Sequence, residues 1–93
     1  MPHAFDAYII PADQWSPLAE NAMASRIADE LVELTGCETK VAALAGRSFV
    51  AFRNAPGFGL SAVADRAAAV RARMALDAWI EAKEAAASHR EAA

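Results

Sequence analysis

The sequence predicts an α+β domain of order β-α-β-β-α: a three-stranded antiparallel sheet with two helices packed on one face. Three observations carry this expectation. A short aromatic and β-branched run, Ala4 to Ile10, is stopped by Pro11. A capped amphipathic segment follows from Pro17 to Thr35. Residues 38–54 then alternate around Gly46-Arg47, as two strands do around a two-residue turn.

Each element has a local reason. The first strand is the Ala4–Ile10 run itself. The first helix opens at Ser16-Pro17, where serine accepts from a free backbone N–H and proline loses nothing at the first helical position. Met23, Ile27, Leu31 and Leu34 make its apolar stripe, and Gly36 supplies a left-handed end. In the hairpin, pairing outward from Ala45 and Ser48 sets Val41, Ala43, Val50 and Phe52 on one face. Asn54 to Gly59 (NAPGFG) is a loop by composition. Ser61 is placed to cap a second, alanine-rich helix reaching about Ser88. The arrangement is the split βαβ pattern, ferredoxin-like in architecture but without its last strand.

That second helix carries two apolar sides. Val63, Ala67, Val70, Met74 and Ala78 form one; Ala69, Ala72, Leu76, Trp79 and Ile80 form the other. One side suffices to cover a sheet. The second side is read either as a dimer contact or as part of a helix buried on both sides. A tail, residues 84–93, is expected to fray.

At 93 residues the chain is one domain, and a domain this small hides only about 60–65% of its unfolded surface. A partner that covers more apolar surface would stabilise it. Charge is segregated along the chain. Residues 1–39 hold one cation, Arg26, against seven carboxylates, whereas residues 40–73 hold six cations against Asp65 alone.

Catalytic patterns are weak. His3 lies in the N-terminal arm and His89 in the tail, so no metal or other cofactor is expected. Ser16, Ser48 and Ser61 read as cap or turn residues with no histidine fixed beside them. Cys37 reads as a half-buried structural thiol. Asp29, Glu30, Glu33 and Glu38 read as a solvated helix face, not as paired catalytic carboxylates. The single Gly-x-Gly of the 54–60 loop lacks the rest of a phosphate-binding fingerprint. Phe58 in that loop is either tucked onto the core or an exposed anchor.

Arg47, Arg53, Arg66, Arg71 and Arg73 could form a basic surface, but the pI is near 5.2 and no nucleic-acid module is present. Nucleic-acid binding is therefore not expected. No apolar run approaches the roughly 18 residues of a membrane span. The lone cysteine, and a start (Met1 to Asp6) unlike a signal peptide, fit a cytoplasmic protein.

The expected function is binding without catalysis. The chain reads as a non-enzymatic protein-binding module, homodimeric, that regulates or inhibits a larger assembly, for example as a phage-type anti-CRISPR or anti-restriction factor. Its expected interface residues are Leu76, Trp79 and Ile80 on the second helix, Glu30 and Glu33 on the acidic face, and Phe58. The alternative is a small-ligand-binding or enzymatic homodimer with its site near the 54–60 loop. That site would be a pocket lined by Trp15, Phe58 or Trp79 around a buried charge.

Overall fold

In the computed structural model, which describes residues 5–53 and 59–92, every regular element is helical. Three α-helices carry the fold: α1 (Pro17–Thr35), α2 (Thr39–Ala51) and α3 (Arg66–Ala92). Short 3₁₀ turns occupy Asp6–Tyr8, Ala12–Gln14 and Gly59–Ala62. The expected α+β architecture is thus corrected to an all-helical bundle, because no strand and no sheet occur among the described residues.

The α1 helix has the bounds its sequence signals predict. Ser16 Oγ accepts from the Ala19 N–H at 3.0 Å, and Gly36 adopts a left-handed φ of 70° with its N–H on the Val32 carbonyl at 2.9 Å. The stripe is rotated from expectation. Ala24, Ile27 and Leu31 are buried, while Leu34 is exposed.

In place of the expected hairpin over residues 38–54, Thr39–Ala51 form α2, and Asn54 lies outside the described residues. Its buried residues, Val41, Ala42, Ala45 and Phe49, recur at helical spacing. Gly46 makes no turn. It lies where α1 and α2 cross, and a Cβ there would stand 2.5 Å from the Ala24 carbonyl oxygen. Glycine is required at this position for close helix approach, not for positive φ.

Within the expected first strand, Ala4–Ile10, Asp6–Tyr8 form a 3₁₀ turn closed by the Tyr8 N–H on the Phe5 carbonyl at 2.9 Å, and Ala4 lies outside the described residues. Packing explains the choice. Phe5 and Tyr8 are three residues apart, so a strand would send them to opposite faces. The turn brings both onto Trp79, at ring-centroid distances of 5.7 Å and 5.0 Å.

The last helix begins at Arg66, later than Ser61 suggests. Asp65 caps it, its carboxylate accepting from the Ala68 N–H at 3.1 Å. The Arg66 guanidinium also donates to the carbonyls of Leu60, Ser61 and Val63, at 3.1–3.3 Å. These bonds lock the 59–63 turn onto the start of α3. At about 1.5 Å per residue the 27 residues of α3 span roughly 40 Å, which sets the 42 Å long dimension.

The core gathers where all three helices and the N-terminal turn meet. Ile27, Leu31, Val41, Leu76 and Trp79 are its largest fully buried side chains. Phe49 stands edge-on to Trp79 at 5.0 Å, so the indole is enclosed by Phe5, Tyr8 and Phe49. Such aromatic pairs add to simple area burial.

Candidate functional site

The most connected polar group in the described residues is Glu30, and its partners come from three separate segments. The Tyr8 hydroxyl donates to both carboxylate oxygens, at 2.8 Å and 3.0 Å. Trp79 Nε1 donates to Oε1 at 3.4 Å, and Lys83 Nζ reaches the same oxygen at 2.7 Å. Arg26, one turn earlier on α1, lies 3.6 Å from Oε2. The Arg26 guanidinium also sits 4.7 Å from the Tyr8 ring centroid and donates to the Ala7 carbonyl.

Partial burial pushes the Glu30 carboxyl upward. Hydrogen bonds from Lys83, Tyr8 and Trp79, with the Lys83 charge, outweigh that burial, so its pKa lies below the ordinary carboxylate value. The Glu30 hydrogen bond, then that of Tyr8, hold the Lys83 ammonium above its ordinary value against desolvation. A general base needs a pKa near the working pH and an accessible lone pair. The Glu30 pKa is shifted away from that range, and both its oxygens already accept from the chain's own donors. The cluster is a clamp that ties the N-terminal turn and α3 to α1.

The predicted interface residues separate on this structure. Leu76 and Trp79 are 0% and 1% exposed, so they serve the chain's own core and present nothing to a partner. Ile80 packs beside them, half-buried. Glu30 is engaged in the clamp, whereas Glu33 stands exposed on α1. Phe58 and most of the 54–60 loop lie outside the described residues. Trp79 does sit beside a charged group, as the ligand-binding alternative requires, but packed rings fill the space around it.

The segregated charges pair partly within the chain. Arg71 lies 3.9 Å from Glu38, Lys40 lies 4.0 Å from Asp65, and Arg73 pairs with Asp77 one turn on at 3.1 Å. All are exposed pairs of small energetic weight. Among the described residues no group of three His, Cys, Asp or Glu side chains is arranged to hold a metal ion. No described helix is long and apolar enough to cross a membrane.

Among the described residues, two outward apolar surfaces carry the most exposed large hydrophobic side chains. The first lies where the N-terminal segment runs along α1. Ile9, Ile10, Pro11, Ala19, Ala22 and Met23 line most of a groove of about 350 Å³. The chain neighbours of its Gln14 and Ala19, Trp15 and Leu18, are 56% and 81% exposed. The Trp15 indole N–H is fixed to Glu20 at 3.0 Å. Leu18 is nine residues from Ile27, which at about 100° per residue puts it opposite the buried stripe. That offset is legible in the sequence, where Leu18 stands apart from the stripe of Met23, Ile27, Leu31 and Leu34. The second surface is the outer face of α3, where Val70 and Met74 are 54% and 67% exposed.

The chain matches no family model, no curated protein and no solved structure among those it was compared with.

Proposed function

We propose that the chain is a small non-enzymatic protein-binding module that regulates a larger assembly by occupying one of its surfaces. The exposed Trp15–Leu18 corner, with the adjoining groove of Ile9, Pro11, Ala22 and Met23, is the observation that carries this reading. Large apolar side chains held in water at the start of α1 are a cost to the free protein that a partner removes. Tryptophan is also the residue type most enriched among binding hot spots. The Glu20 hydrogen bond pre-orients the indole, so less side-chain freedom is lost on docking. The Glu30 cluster supports the same reading, since its carboxylate is committed to holding the fold.

The test is affinity capture from cells that contain the native partner, comparing the natural chain with Leu18→Glu and Trp15→Ser. Both positions are exposed, so the thermal midpoint and helical circular dichroism should stay near natural values. A specific partner should be retained by the natural chain and lost at least about tenfold by each variant. Equal retention by all three would overturn the assignment of this corner.

A further inference from the structure

We infer that α3 also mediates self-association, its outer face packing antiparallel against the α3 of a second copy across a two-fold axis near residue 75. The inference concerns a different face from the Trp15–Leu18 corner and does not depend on it. Ala67, Val70, Met74 and Ala78 fall within about 40° of one line along the helix, on the side opposite Leu76 and Trp79. Val70 and Met74 are the large apolar members, and both are mostly in water. A shallow groove of about 270 Å³, lined by Leu60, Arg66, Val70, Arg73 and Met74, continues the surface toward the start of the helix.

Charge selects the occupant. One flank of this stripe carries, in chain order, Arg66, Arg73, Asp77 and Glu84, all exposed. Two cations are followed by two anions, and they are symmetric about position 75: residue 66 mirrors 84, and 73 mirrors 77. A two-fold axis running perpendicular to two antiparallel helices sets each flank against itself in reverse order. Arg66, which also holds the 59–63 carbonyls, then faces the partner's Glu84, and the Arg73–Asp77 pair of one chain meets that of the other in reverse order, joining both into one network. Glu81, near the middle of the stripe, falls between the partner's Arg66 and the partner's Arg73. Met74 meets the partner's Met74 beside the axis, and Val70 lies along the partner's Ala78. A parallel pair would instead set this flank against the partner's opposite flank, where Arg71 stands among alanines, and neither arginine–carboxylate match would form. The matched charges of this flank therefore arise in the antiparallel orientation.

Light scattering of the full chain across a concentration series should give a mass approaching twice 9.8 kDa, with dissociation favoured by salt. Met74→Glu should weaken association at least about 100-fold while leaving helical circular dichroism unchanged, because it puts two like charges at the axis. Orientation is read by oxidative cross-linking in a Cys37→Ser background. Mixed Val70→Cys and Ala78→Cys chains should cross-link to each other, and Val70→Cys alone should not cross-link to itself. A chain that stays at 9.8 kDa at roughly millimolar concentration, a dimer insensitive to Met74→Glu, or self-cross-linking of Val70→Cys would each overturn the proposal. None of these outcomes bears on capture through Leu18.

Discussion

Replacing Trp79 with alanine should cost about 3–5 kcal/mol, the usual range for truncating a buried tryptophan. Its site gives little room for relief. The indole is 1% exposed and contacts rings from the N-terminal turn (Phe5 and Tyr8) and from α2 (Phe49). Removing it opens a cavity at the one point where those segments meet, and it also removes a donor to Glu30. A domain of this size is stabilised by about 5–15 kcal/mol, so the loss is a large share of the whole. The variant should melt roughly 12–40 °C below the natural chain, taking about 4–8 °C per kcal/mol. The N-terminal turn should come loose first, because Tyr8 would then be held chiefly through its Glu30 contact and the cations over its ring. A melting point within a few degrees of the natural one would mean that Trp79 is not the centre of the core.

Glu30→Ala should be less damaging than loss of Trp79 but still costly, at about 2–3 kcal/mol. It removes the shared acceptor of the Tyr8 hydroxyl, the Trp79 N–H and the Lys83 ammonium. Glu33→Ala, on the exposed side of α1, should change stability by less than about 0.5 kcal/mol. Equilibrium unfolding in denaturant separates the two. The pH dependence follows from the direction of the shifts. Glu30 is more acidic folded than unfolded, so its contribution is present above the ordinary carboxylate range and is lost as pH falls through its lowered folded value. Lys83 is less acidic folded than unfolded, so its contribution persists below the ordinary lysine range and is lost as pH rises through its raised folded value. The natural chain should therefore lose stability at both extremes, and Glu30→Ala should flatten both limbs. Similar losses for Glu30→Ala and Glu33→Ala would contradict the clamp.

What can be read from the sequence follows how local each cause is. The bounds of α1 are legible because Ser16, Pro17 and Gly36 act on their own neighbours. The fate of residues 38–54 is not. Positions 41–45 are apolar without interruption, so both a two-residue and a helical period can be fitted to them. Gly46-Arg47 tips that choice toward a turn. The residue that explains Gly46 is Ala24, far away in sequence, whose carbonyl needs the missing side chain. The helix propensity of the alanines in that run is the one local signal that favours the observed helix.

The two apolar sides of α3 are also legible, but which one faces inward is not. Leu76 and Trp79 read as a surface for a partner, yet Phe5, Tyr8 and Phe49 converge on Trp79 from other segments. Those aromatic residues leave Val70 and Met74 as the outward side. The Glu30 clamp is invisible for the same reason. Tyr8 and Trp79 lie 22 and 49 residues from Glu30, and nothing near Glu30 marks it as different from Glu33.

Every assignment of an inner or outer face rests on residues 39–51 forming one continuous helix packed on α1 through Gly46. Backbone carbon chemical shifts measured across that segment test this most directly. The structure predicts uninterrupted helical offsets from Thr39 to Ala51, with Gly46 and Arg47 included. Extended values on both sides of a turn at Gly46-Arg47 would contradict it, and with it the placement of both binding faces.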